Sequence, residues 1–257
     1  MVAIWLSGFG LILGLLTLLW LLSLRLKDSS IIDIFWGLGF VVLAVFYNIF
    51  ATHGYEPRQT LLTTLVAIWG LRLGGYIYWR NHGKGEDPRY QKWRKAAGDA
   101  WWWRSYFKVF VLQGVLMNII AIPLLAAQYY DADSFNILDA LGAVIWLIGF
   151  AFEAGGDWQL ARFKANPANK GKVLDTGFWR YTRHPNYFGD ACQWWGYYAI
   201  ALAAGGWWSI FAPALMTLLL MRVSGVTLLE KSLVETKPQY REYIRKTSAF
   251  IPRPPRP

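Results

Sequence analysis

VAIWLSGFGLILGLLTLLWLLSL, residues 2–24, holds no charged side chain over a length that, coiled as a helix, crosses the ~30 Å hydrocarbon core of a bilayer. It has no charged segment before it and no cleavage site before Arg25, so it reads as a retained helix and not as a signal peptide. Further runs of similar length follow at 31–51, 60–80, 106–128, 136–156, 187–204 and 207–223. The expected fold class is therefore all-α, a polytopic membrane helical bundle of about seven transmembrane helices forming one domain over 1–257. The last two runs are joined by Gly205 and Gly206 alone, so a tilted hairpin or a re-entrant pair fits there as well. A chain of 257 residues that is 55% hydrophobic and 18% aromatic is not composed like a soluble domain.

Charge sets the orientation. Taken alternately, the loops of one side hold Arg25 and Lys27, the basic stretch 80–104, the stretch 162–183 and the tail 231–256; the other side holds Arg58 as its basic residue, with Asp131 and Asp133. The positive-inside rule makes the basic side cytoplasmic and the N-terminus outward, in a multi-pass protein expected in the bacterial inner membrane with a cytoplasmic C-terminus. The net charge of +10 is explained by topology, so nucleic acid is not an expected partner. A single cysteine, Cys192, rules out an intrachain disulfide.

Ionisable residues within the spans mark function by default, because each costs about 2–3 kcal/mol or more at the bilayer centre. Asp33, Arg72, Glu153, Asp157, Asp190 and Arg222 all fall towards the cytoplasmic side. That one-sided placement predicts a water-accessible cavity open to the cytoplasm; interfacial salt bridges between helices are the alternative reading. In the flanking loop, Asn81 and Lys84 around Gly83 form a turn suited to a pyrophosphate. Trp93 and Trp101 to Trp103, interleaved with Arg and Lys, read as an interfacial belt on anionic lipid. Gly70 and Gly74 have the spacing of close helix packing.

The densest polar stretch is GFWRYTRHPNYFGD, residues 177–190. Arg180, Arg183, His184 and Asn186 offer donors to an anionic ligand, Tyr181 and Tyr187 offer faces to a planar ring, and Asp190 adds an acceptor. No GxGxxG, Walker loop, CxxC or HExxH occurs, and His53, His82 and His184 are too dispersed to propose a metal cluster, so no metal is expected.

The run Thr182-Arg183-His184-Pro185-Asn186-Tyr187-Phe188-Gly189-Asp190 resembles the C-terminal domain of the steroid 5-alpha-reductase-like family, as do 153–164, 222–230, and Tyr240-Arg241-Glu242-Tyr243 with Phe250-Ile251-Pro252. The resemblance implies a seven-helix fold, a cytoplasmic NADPH pocket, and reduction of a carbon–carbon double bond in a sterol- or isoprenoid-like lipid. It implies a division into substrate-side helices, 1–128, and a cofactor-binding half, 129–257. Asp157, Lys164, Asn186, Asp190 and Arg222 match cofactor contacts by motif; Arg72, Asn81, Lys84, Arg180, Tyr181, Arg183, His184 and Tyr187 complete the expected cofactor set. Trp69 stands where the steroid enzymes have a carbonyl-polarising tyrosine, and Val226 and Glu230 lie near the place of a missing histidine and tyrosine. Asp33 or Tyr76 is then the expected proton donor. The same RHPNY signature is similar to S-adenosylmethionine-dependent methyltransferases of the isoprenylcysteine and phospholipid type, as is 229–233. A non-catalytic lipid-binding protein is the third reading.

Overall fold

The computed structural model describes every residue except 132–133, 224–225, 227–229, 231–232, 235–236, 238 and 257, so Asp133 and most of the 229–233 stretch lie outside the described residues. Among the described residues the fold is all-α, without strands; an isolated bridge pairs Thr182 with Ser248. Two compact units divide the chain, one of Met1–Phe135 with Ala201–Ser209, the other of Asn136–Ile200 with Ile210–Pro257.

The first unit contains α1 (Val2–Leu26), α2 (Ile31–Phe50), α3 (Glu56–Asn81), α4 (Pro88–Ala97) and α5 (Trp101–Ser105), then a π-helical stretch Tyr106–Val111 leading into α6 (Leu112–Ile120) and α7 (Ile122–Tyr129). The second contains α8 (Ile137–Ala165), most of α9 (Pro185–Ala203), α10 (Phe211–Leu218) and α11 (Tyr240–Lys246). Among the described residues, five helical segments are long and apolar enough to cross a membrane: Val2–Leu26, Ile31–Phe50, Glu56–Asn81, Pro88–Tyr129 and Ile137–Ala165. The chain is thus an all-α, multi-pass membrane protein. Seven spans are expected from the sequence, and the difference falls on the last two. Asn186, Asp190 and Gln193 lower the hydropathy of α9, and Trp207–Arg222 is a shorter apolar helix.

Glycines let the helices meet backbone to backbone. In the first unit a Cβ on Gly70 would lie 2.5 Å from the Gly37 carbonyl oxygen, and one on Gly37 would lie 2.7 Å from that of Gly70, so α2 and α3 touch where the Gly70/Gly74 spacing predicts. Gln59 extends that contact to α7, its amide donating to the carbonyls of Ala51 (2.6 Å) and Gln128 (2.8 Å). Arg58, expected on a loop, is fully buried at the start of α3 and donates to the Ser134 carbonyl at 2.7 Å. Pro123 removes a backbone donor in the first turn of α7, which is why the run 106–128 folds as two helices separated at Ala121.

In the second unit Gly142, Gly149 and Gly156 recur every seven residues along α8, one face of the helix. A Cβ on Gly142 would sit 2.7 Å from the Gly196 carbonyl oxygen, on Gly149 2.5 Å from that of Gly189, and on Gly156 3.0 Å from the Pro185 ring. This seam fixes the first half of α9 on α8, so that side chains beside the glycines are pressed together whatever their polarity.

Candidate functional site

Those side chains are acids and amides. Glu153 and Asp157 on α8, and Asp190 and Gln193 on α9, are nearly or fully buried. Gln193 donates to Glu153 Oε2 at 2.5 Å, and Asn186 donates to Asp157 Oδ1 at 3.1 Å. The Gln193 Oε1 and His184 Nδ1 atoms are buried without a hydrogen-bond partner among the described residues. A buried polar atom left unpaired is costly.

The entry to α9 is built by long-range ties. Pro185 suits the first helical position because its missing N–H would have no helical acceptor there, and the His184 carbonyl accepts from Phe188 at 3.0 Å. Upstream, the Arg183 amide donates to the Ser248 carbonyl and the Arg253 amide to that of Tyr181, both at 2.9 Å. The Tyr243 hydroxyl donates to the Trp179 carbonyl, whose own indole N–H donates to Gly156 at 3.1 Å. The tail after α11 is thereby laced to the start of α9 and to the α8 seam.

Arg183 and His184 turn inward to the same tie. Arg183 donates from Nε to Glu230 Oε1 at 2.7 Å and from Nη1 to the carbonyls of Ile244 (3.2 Å) and Thr247. His184 Nε2 lies 3.0 Å from the same carboxylate oxygen, and its ring stacks on Tyr187 with centroids 5.6 Å apart and planes 6° from parallel. Burial alone would raise the Glu230 carboxyl, but hydrogen bonds from His184 and Arg183 outweigh it and hold the group at about 2. The sequence reading aims the Arg183 and His184 donors at an anionic ligand; in the structure Arg183 Nε and Nη1 and His184 Nε2 meet Glu230 and the tail carbonyls, which tie the start of α9 to the tail. Arg180 and Lys164 are exposed, as are Tyr181 and Arg222. Glu230 is the residue sequence reasoning did not place in the site.

The remaining candidates lie in the first unit. Arg72 is half-buried on α3 with its guanidinium 5.5 Å from the Tyr76 ring centroid, and Arg80 approaches the same ring at 5.8 Å. Arg80 donates to Asn81 Oδ1 at 3.0 Å and Lys84 donates to the Arg80 carbonyl at 2.5 Å, folding the turn at Gly83 on itself. Asp33, in the first turn of α2, accepts from Arg89 at 2.7 Å and from the Tyr90 hydroxyl at 2.6 Å. Glu86, in the loop before α4, accepts from the Ser29 amide at 2.7 Å and from Arg94 at 2.8 and 2.9 Å. Burial would raise the Glu86 carboxyl, yet the bonds from Arg94 and Ser29 prevail and hold it below its usual range. Of the ionisable residues within the spans, Asp33 thus enters an interhelical salt bridge, from α2 to Arg89 of α4. Among the described residues no group of His, Cys, Asp and Glu is arranged to hold a metal ion.

A multi-pass helical fold with acids and amides gathered on a glycine seam defines a membrane protein with a buried polar site. The chain belongs to the family described as "Protein of unknown function (DUF1295)", whose model matches residues 19–247, which take in most of both units and the whole 182–190 motif. It is similar to the Uncharacterized protein C594.04c of Schizosaccharomyces pombe, 26% identical over 278 aligned positions that cover 95% of this chain and 79% of the relative. No solved structure matches.

Proposed function

We propose that this protein is a membrane-embedded, NADPH-dependent reductase of a carbon–carbon double bond in a hydrophobic, sterol- or isoprenoid-like lipid. The observation that carries the reading is the α8–α9 seam, where Asn186, Asp190 and Gln193 lie along the helix that the RHPNY run opens, packed on the helix that carries Glu153 and Asp157. The donor set fits a dinucleotide. Carboxylates and amides match ribose hydroxyls and a carboxamide, the unpaired Gln193 Oε1 awaits a donor, and the exposed Lys164, Arg180 and Arg222 match phosphates. When bound, NADPH supplies a hydride to one carbon of the double bond, and a proton saturates the other. Arg183, His184 and Glu230 hold the entry of α9 so that Asn186 and Asp190 keep their positions. We place the basic loops and this site on the cytoplasmic side, where NADPH is available.

Thermal unfolding of the detergent-purified chain with NADPH, NADH or S-adenosylmethionine tests the reading, because a ligand that binds only the folded state raises the midpoint by mass action. NADPH is expected to stabilise, and Asn186→Ala to weaken its binding by about 1–3 kcal/mol as one buried hydrogen bond is lost. A rise with S-adenosylmethionine and none with NADPH would replace this reading by a methyltransferase. One observation favours that second reading: the buried side chains of the seam are acidic, and Arg183 is neutralised by Glu230, which suits a cationic sulfonium.

A further inference from the structure

We infer that the junction of α4 and α5 is a binding site for the headgroup of an anionic phospholipid. Here a cavity of about 480 Å³ is walled by Trp93 from α4 and by Trp101, Trp103, Arg104, Phe107 and Lys108 from α5 and the π-helical stretch. The walls follow from spacing. Trp93, Ala96 and Ala97 stand at i, i+3 and i+4, one face of α4; Trp103, Arg104, Phe107 and Lys108 stand at i, i+1, i+4 and i+5, one face of the next helix. Gly98, at φ 55°, makes the reversal between them, and the two alanines leave the space open.

Both cations of the cavity are held in place by rings. Lys108 Nζ lies 4.5 Å from the centroid of Trp93 on the opposite wall, and the Arg104 guanidinium lies 5.4 Å from that of Trp103. A third pair, Arg94 at 5.6 Å over Trp101, backs the same wall. None of the lining residues is acidic, so the positive charge of the cavity is uncompensated within it. Trp102, Trp103 and Phe107 are exposed, and the part of the Pro88–Tyr129 segment beyond Lys108 carries no charged residue. A cavity that is cationic, aromatic and set where charge gives way to a span matches an amphiphile: a phosphate on Arg104 and Lys108, with acyl chains running along Phe107 and the span. A soluble anion would use the cations alone and leave the exposed rings without a function.

The test is native mass spectrometry of the full chain released from mixed micelles holding equal amounts of phosphatidylglycerol and phosphatidylcholine. Wild type is expected to retain phosphatidylglycerol by about tenfold over phosphatidylcholine, and the Arg104→Gln/Lys108→Gln variant by no more than about twofold. Lys92→Gln/Lys95→Gln, the same charge change outside the cavity lining, is expected to keep the wild-type ratio. Equal retention of the two lipids by wild type overturns the site, whether or not the double variant folds. So does a double variant that keeps the preference, or a control pair that lowers it equally, since general surface charge would then account for the binding.

Discussion

Arg183 shows how a residue type can be legible while its partner is not. Its density among donors in 177–190 is plain in the sequence, but its acceptors lie far along the chain, 47 residues on at Glu230 and 64 on at Thr247. No local pattern announces a pairing of that separation, so the guanidinium reads from sequence as a ligand contact. The pair makes a pH prediction. Glu230 sits at about 2 in the folded protein against an ordinary 4.5, so its contribution is complete above 4.5 and is lost as pH falls from there towards 2. Wild type is expected to lose thermal stability across that window at neutralising Glu230, while Glu230→Gln starts lower at pH 7 and falls less. An identical acid slope in both proteins would show that the tie does not depend on the carboxylate. Arg183→Ala, which strands Glu230 beside His184, is expected to cost about 3–5 kcal/mol at pH 7, read from denaturant or thermal unfolding.

At the scale of elements, length and hydropathy make the first five membrane segments readable, because a bilayer demands both at once. The same criterion fails for α9, whose polar side chains are the site itself, and for Trp207–Arg222, which is short. Glycine spacing was half legible. Gly70 and Gly74 announce a contact, but neither they nor the heptad of Gly142, Gly149 and Gly156 names the helix that answers. Structure supplies Gly37 for the first and Gly196, Gly189 and Pro185 for the second. A methyl group added at Gly149 would have to displace the Gly189 backbone from 2.5 Å, so Gly149→Ala is expected to destabilise by about 1–3 kcal/mol or more and to weaken NADPH binding through the seam. Gly14→Ala on α1, where nothing lies within 4 Å of the added carbon, is the control. It is expected to be neutral or to gain about 0.5–1 kcal/mol from helix propensity. Equal effects from the two substitutions would mean that the α8–α9 contact is not tight.

For the molecule as a whole, the expected topology rests on where Lys and Arg are exposed, and burial sharpens the asymmetry on which that expectation is built. The opposite side has Arg58 as its basic loop residue by sequence, yet that side chain is fully buried against Ser134, which removes it from the surface bias. Arg80, Lys84 and Arg89, and Arg241 and Arg245 of α11, are exposed, in the segments expected to be cytoplasmic. Reporter fusions at Gly85 and after Arg256 are therefore expected to be active only as cytoplasmic fluorescence, and one at Asp131 only as a periplasmic phosphatase. A periplasmic reporter active at the C-terminus would invert or break this arrangement. Parity alone cannot count the spans, because α9 and Trp207–Arg222 return the chain to the same side whether they cross fully or re-enter. The Gly205 turn, at φ 95° and exposed, decides between the two. A Gly205→Cys variant should have its thiol labelled by a membrane-impermeant reagent from the outer face if the pair crosses, with Cys192→Ser as the background. Protection there, with cytoplasmic reporters still active on both flanks, would make the last pair re-entrant and leave the five long segments as the full crossings.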